Sequence, residues 1–402
     1  MTKSTRIGAL FTVLMALLGM AVMTSTASFA QGVAATQSDD QDDEQDASQS
    51  LPVGVVFAMT NVTAGNRIVI YRRSSDGTLN RVGRVRTRGL GIGTDLDSQG
   101  GLRLSADHRF LYAANAGSDE ITVFAVDGTR LNVIQKVDAG DEPVSLTISG
   151  NLLYVLNGSV AGNGIRGFRI AHNGTLTPIA NSFRDLSSRI AVPGTVQFSP
   201  DGHVILVTHK TTNELVPPFH IIDAFTIGAD GRPSAMPIPN ASHGIRPFSM
   251  AFRNDSKVIV VESFNAVDHH SAASSYQLRP NGTLALLSGS VPNGQTDVCW
   301  VVVTNDQRYA FTANFASGTI SSYRFNSSGG LVLIAGEAAT LGDTSQPVDL
   351  SLSADGRYLH LLLRGLGGVA SFRIEEGGRL TPLGVVVGGL PVNDGASGLA
   401  GY

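Results

Sequence analysis

Five of the nine histidines, His209, His220, His243, His269 and His270, fall within one stretch of the chain that also carries Arg246, Glu262 and Asp268. Imidazoles and carboxylates can move protons near neutrality, and together they can hold a divalent metal. A guanidinium forks onto a carboxylate or a polarised carbonyl oxygen. His209 or Glu262 as general base, with Arg246 stabilising carbonyl charge, is a constellation suited to acyl chemistry. None of the histidines shows a recognised metal-ligand spacing, so no cofactor is expected; Asp268, His269 and His270 are the candidates should a divalent ion bind. The single cysteine, Cys299, cannot form an intramolecular disulfide and stands in an apolar run beside the only tryptophan, where it reads as a small buried hydrophobe.

Positioning such residues requires a scaffold, and the chain repeats. Tight-hairpin dipeptides recur at Asp76-Gly77, Asp127-Gly128, Asn173-Gly174, Asp230-Gly231 and Asn281-Gly282, with looser versions at Ser328-Gly329 and Gly377-Gly378. Between them runs a second series: Leu104-Ser105-Ala106-Asp107, Phe198-Ser199-Pro200-Asp201-Gly202, Phe252-Arg253-Asn254-Asp255, Val303-Thr304-Asn305-Asp306 and Leu352-Ser353-Ala354-Asp355-Gly356. Apolar or aromatic strands flank both series. Four short antiparallel strands in each unit of about fifty residues is the pattern of a β-propeller blade. Seven outer hairpins accompany only six inner ones, because the chain enters near Val53 on a second strand. The predicted fold is therefore all-β: a seven-bladed propeller over residues 51–402, with the C-terminal strand completing the N-terminal blade.

This topology places the segments before each first strand and after each second strand at one mouth of the central channel. The last positions of the second strands read Asn61, Asn115, Asn157, His209, Glu262, Asn314 and Leu363. Each asparagine serves either its own turn or a ligand; His209 and Glu262 break the pattern in adjacent blades and precede the longest loops on this face. Asp97, Gln99 and Asp297, from segments before the first strands, join Asn115, Asn157 and Asn314 as the predicted ligand-binding set. Asp95, Asp141, Glu142 and Gln295 share the same face.

The ends of the chain differ from its middle. Lys3 and Arg6, an apolar stretch from Ile7 to Met23 and Ser28-Phe29-Ala30 predict a secretory signal over residues 1–30, and hence a periplasmic or extracellular protein with no membrane span. Residues 31–50 carry Asp39, Asp40, Asp42, Asp43, Glu44 and Asp46 without an aromatic residue and predict a disordered acidic spacer. Of 29 basic and 33 acidic residues, two and six respectively lie in these segments, so the remainder is neutral and a nucleic-acid partner is disfavoured. Arginines 67, 72, 73, 81, 84, 86 and 88 crowd the first blade. The alternation of Arg84, Arg86 and Arg88 puts them on one face of an outer strand, where they discourage edge-to-edge pairing and offer a patch to an anionic surface polymer.

The repeat sequences, notably Phe198-Ser199-Pro200-Asp201-Gly202, Leu352 to Leu359, and Phe168-Arg169-Ile170 leading to Asn173-Gly174-Thr175-Leu176-Thr177-Pro178, resemble the lactonase-like seven-bladed propellers. That family includes a bacterial 6-phosphogluconolactonase and a fungal carboxymuconate-lactonising enzyme. The resemblance covers residues 51–402. It implies lactone hydrolysis of a small polar or sugar-derived ligand at the channel mouth, by a Pro-Arg-His triplet entering an inner strand and a Glu ending the next. This chain has Pro193-Gly194-Thr195 there, with His209 at the Glu position; blade five offers Arg246-Pro247-Phe248 and Glu262. The resemblance thus implies either a site displaced by one blade, with Glu262, His209 and Arg246 as catalytic candidates, or a non-catalytic extracellular interaction scaffold.

Overall fold

The computed structural model describes residues 54–160 and 162–402; the predicted signal and acidic spacer lie outside them. Among the described residues the strands form seven antiparallel sheets arranged as blades. Six have four strands; in the third, Leu176–Pro178 and Arg184–Asp185 share the outer position, both paired with Gly164–Ile170. Blade one closes the ring. Its innermost strand is Leu399–Gly401, paired with Gly54–Met59 in the register Val56 to Gly401, Phe57 to Ala400 and Ala58 to Leu399. Arg67–Arg73 and Leu79–Arg86 complete it outward.

Burial explains the strand sequences. Second strands such as Phe110–Asn115 and Tyr358–Leu363 are buried at every residue because both faces of a blade pack on neighbours, so they read as continuous apolar runs. Outer strands such as Arg130–Asp138 alternate, since one face meets water.

The two recurring turns have separate physical reasons. In the inner hairpins the hydroxyls of Ser105, Ser199, Thr304 and Ser353 donate to Asp107, Asp201, Asp306 and Asp355, which also accept the backbone N–H two residues on. The outer hairpins need glycine for shape and for packing. Gly174 has φ +82°, and a Cβ there would lie 2.2 Å from the Phe110 ring of the preceding blade. Tyr112 secures the same turn, its hydroxyl donating to the Gly174 carbonyl at 3.1 Å. This outer turn is thus part of the seam between blades two and three.

Candidate functional site at the channel mouth

Just before the first strands stand Asp97, Glu142, Arg246, Asp297 and Gln346, all with left-handed backbones (φ 50°, 57°, 57°, 59° and 48°). In blades three to seven the register with the second strand also shifts within the first few residues, at Pro143, Pro193, Pro247, Val298 and Pro347. Such a backbone costs a non-glycine residue about 1–2 kcal/mol. Its recurrence at one repeat position, next to a bulge, re-aims a set of polar side chains.

Their contacts show where they go. Asp97, from blade two, receives the ammonium of Lys210 from blade four and lies 3.7 Å from the Arg246 guanidinium of blade five. Lys210 also donates to the Asp97 carbonyl at 2.5 Å and sits 4.8 Å above the Phe248 ring, its side chain only 1 % exposed. Arg246 and Asp97 remain accessible, at 27 % and 44 %. Asp297 accepts from the Cys299 thiol at 3.3 Å; burial pushes its carboxyl up, against the thiol and Arg246, which pull it down. On the other side of the mouth Arg364 pairs with Asp95 at 2.8 Å, donates to Gln346 at 3.1 Å and stacks over Phe315. Burial raises the Asp95 carboxyl and Arg364 opposes the rise. Trp300 lies between Phe248 and Phe315, with ring centroids 5.2 and 6.1 Å away.

Below this layer the channel is bridged. Gln99 exchanges two hydrogen bonds with the Val301 backbone on the opposite side of the ring, at 2.9 and 3.0 Å, and its carbonyl accepts from Ser145 and Thr195. Gln99, predicted to contact ligand, instead spans the channel beneath the mouth.

Several other predicted residues occupy different places. Glu262 is fully buried inside blade five, accepting from Gly244 N–H, Ser274 and Ser290; burial raises its carboxyl and these bonds lower it. His209 is fully buried in blade four with Nε2 2.9 Å from Asp223. Neither meets Arg246 at the mouth. Asn115, Asn157 and Asn314 are likewise buried: Asn115 joins Thr87, Asn66 and Thr122, Asn157 donates to the carbonyls of Ala139 and Asp141, and Asn314 bonds Asn293, Thr319 and Ser321. Their amides tie the blade to its own connecting loop. Asp97 and Arg246 pair at the mouth, and their charges act on Asp297. Asp268, His269 and His270 are exposed; His269 and His270 face backbone carbonyls through Nδ1, and no group of three or more potential metal ligands converges among the described residues.

The reason is one residue of parity. Side chains alternate across a strand, so the position after each predicted one faces the other way. That series reads Val62, Ala116, Gly158, Lys210, Ser263, Phe315 and Arg364, and it supplies both cations and the aromatic ring that sequence reasoning missed. Two cations breaking an otherwise small or apolar series was the available signal. Blade four lacks the arginine for a steric reason: a Cβ at Gly194 would lie 2.1 Å from the Phe248 carbonyl oxygen.

A closed ring of seven antiparallel sheets with ionisable groups gathered at one end of its channel defines a seven-bladed β-propeller with a polar mouth. The family model described as "Lactonase, 7-bladed beta-propeller" matches residues 64–188 and 222–340, and the chain belongs to that family. It is 22% identical over 317 residues to a 6-phosphogluconolactonase of Yersinia enterocolitica, covering 68% of this chain and 93% of the relative. In fold it resembles the periplasmic gluconolactonase of Pseudomonas aeruginosa (TM-score 0.66, 16% identity, 87% of this chain and 99% of that one). A protein from Lactobacillus plantarum is similar to the same extent (TM-score 0.65, 16% identity, 87% and 99%). No helix among the described residues is long and apolar enough to cross a membrane.

Proposed function

We propose that the chain is an exported lactonase that hydrolyses a small sugar-derived lactone at the channel mouth. The observation that carries this reading is the meeting of Lys210, Arg246 and Asp97 from three different blades, with Asp297 beside them. Hydrolysis of a cyclic ester needs a positive group where the carbonyl oxygen gains charge, and a base for the attacking water. Arg246 is the partly exposed cation and takes the first role, with Lys210 holding Asp97 in place beside it. Asp297 takes the second: burial raises its carboxyl and so its basicity, whereas the Asp97 carboxylate is engaged by two cations. His220 is less suited. Its Nδ1 accepts the Arg246 backbone N–H at 3.2 Å, which leaves the ring proton on Nε2 as a donor, and burial holds its pKa down. Phe248 and Trp300 are buried beneath the charged layer, and the half-buried Phe315 ring in contact with Trp300 is the apolar surface left for the C–H side of a sugar ring.

Export rests on the N-terminal pattern of charge, apolar run and small residues, and is in keeping with the periplasmic gluconolactonase among the structural relatives. The test is acid release from a panel of aldonolactones, with and without a 6-phosphate. Arg246→Ala and Asp297→Asn are each expected to lower kcat/KM by about a hundredfold or more, while Glu262→Gln lowers the melting temperature and not kcat at temperatures where it is folded. Turnover unaffected by both mouth variants refutes the assignment; absence of turnover on every lactone favours the non-catalytic scaffold.

A further inference from the structure

Blade one gathers seven arginines on one hairpin and the residues just after it. Arg73 is withdrawn from the set, 2 % exposed and facing Asp355 and the Tyr358 ring. Arg84, Arg86 and Arg88 are exposed and Arg67 half-buried, and none of the four forms an ion pair with a described carboxylate. Arg67 and Arg86 are directly opposed across the ladder, and Arg84 follows on the same face opposite Val69. Two residues along a strand is about 7 Å. Arg67, Arg84 and Arg86 together line a depression of about 220 Å³.

Like charges directly opposed across a ladder destabilise it. Blade two shows how the fold treats the same repeat positions elsewhere. There Glu120 opposes Asp138, and both are neutralised: Lys136 reaches Glu120 at 2.8 Å and Arg166 reaches Asp138 at 2.9 Å. Arg67, Arg84 and Arg86 have no such carboxylate partner in the described fold. A protective edge charge needs one lysine or arginine, not three around a hollow.

We propose that Arg67, Arg84 and Arg86 form a binding site for an anionic polysaccharide, whose successive carboxylate or sulfate groups neutralise the guanidinium row. Guanidinium forks match such planar or trigonal anions, and a row repeating along a strand suits a linear chain. A nucleic acid fits less well. The row offers no exposed aromatic ring for base stacking, and the charge is confined to one hairpin. The inference is independent of the chemistry at the mouth, so it stands or falls without the lactonase reading.

The experiment measures retention of the full chain on immobilised heparin (sulfate) and polygalacturonate (carboxylate) along a salt gradient, with duplex DNA as competitor. The double variant Arg84→Glu/Arg86→Glu is expected to bind about tenfold or more weakly at low salt and to show a shallower salt dependence. Arg324→Glu, an exposed arginine without an ion pair in blade six, should behave as the wild type. A second readout needs no affinity measurement: Arg86→Gln should raise the melting temperature at low salt, and heparin should raise that of the wild type more than that of the variant. Equal retention of the wild type and the double variant, equal loss in Arg324→Glu, preference for DNA over both polysaccharides, or no retention at all each overturns the proposal.

Discussion

A buried carboxylate can stabilise a fold by its hydrogen bonds and still make it sensitive to pH, and Asp349 does both. It accepts the backbone N–H of Gly398 at 2.7 Å and of Gly100 at 3.2 Å, stitching the closing segment to blade two. Burial pushes its pKa up to about 6; the two N–H groups and Arg103 pull it down, while Asp95 pushes it further up. The folded pKa therefore lies above the unfolded one, and the folded chain holds this proton more tightly. The stability this group contributes is full at pH values below the ordinary carboxylate range and is lost as pH rises through about 6. A shift of this size amounts to on the order of 3 kcal/mol. The melting temperature of the wild type, measured relative to Asp349→Asn, is expected to be higher at pH 4.5 than at pH 7.5; a constant difference would show that Asp349 does not titrate in that window. Such a residue was not legible in the sequence. Asp349 sits in Pro347–Leu352 among apolar neighbours and nothing local distinguishes it; only closure of the ring brings Gly398 and Gly100 to its oxygens.

Elements carried far more of the fold in their sequence than residues carried of the site. The repeated Asx turns and glycines are local devices, each bonded within a few residues, so the blade period, the blade number and the closing strand could be read from spacing alone. Side-chain direction at a strand end depends instead on a bulge and on one residue of register, which is why His209 and Glu262 were expected at the mouth and Lys210 and Arg364 hold it. The glycine turns make a quantitative case. At Gly174 a methyl group meets both a left-handed backbone and the Phe110 ring, whereas at Gly128, with φ +55°, a Cβ would meet nothing within 4 Å. Gly174→Ala is expected to cost about 2–4 kcal/mol, from backbone strain plus overpacking, and Gly128→Ala about 1–2 kcal/mol from strain alone. Denaturant midpoints at unchanged slope measure the difference; equal losses would mean that the turn does not bear on the neighbouring blade.

On the scale of the whole molecule, the mouth depends on closure of the ring. The last strand is short, but its flanks are bonded as well: Val55 donates to the Tyr402 carbonyl at 3.2 Å, Tyr402 returns the bond at 3.0 Å, and Met59 donates to Gly398 at 3.0 Å. The Tyr402 ring stacks on His108 of blade two, with centroids 4.6 Å apart and planes 9° from parallel. The segment leading into that strand also reaches the mouth, since the Ser397 hydroxyl donates to Asp95, the partner of Arg364. Removing residues 399–402 strips blade one of its inner strand, exposes the edge of Gly54–Met59 and leaves Ser397 and Gly398 as a chain end held by their bonds to Met59 and Asp349. The lost ladder, with the burial of Leu399 and Ala400, amounts to about 5 kcal/mol. Melting should therefore shift down, and an unpaired edge should promote association between molecules. Closure also predicts an order of events on heating. Because Asp95, one of the charges that hold the Asp297 carboxyl up, is tied with Arg364 to the closing segment, whereas Lys210, Arg246 and Asp97 are held by blades two, four and five, the truncated chain should lose lactone turnover at temperatures where its circular dichroism still reports intact sheets. In the wild type the two should be lost together. Coincident loss in the truncated chain would mean that the mouth keeps its geometry until the blades themselves unfold.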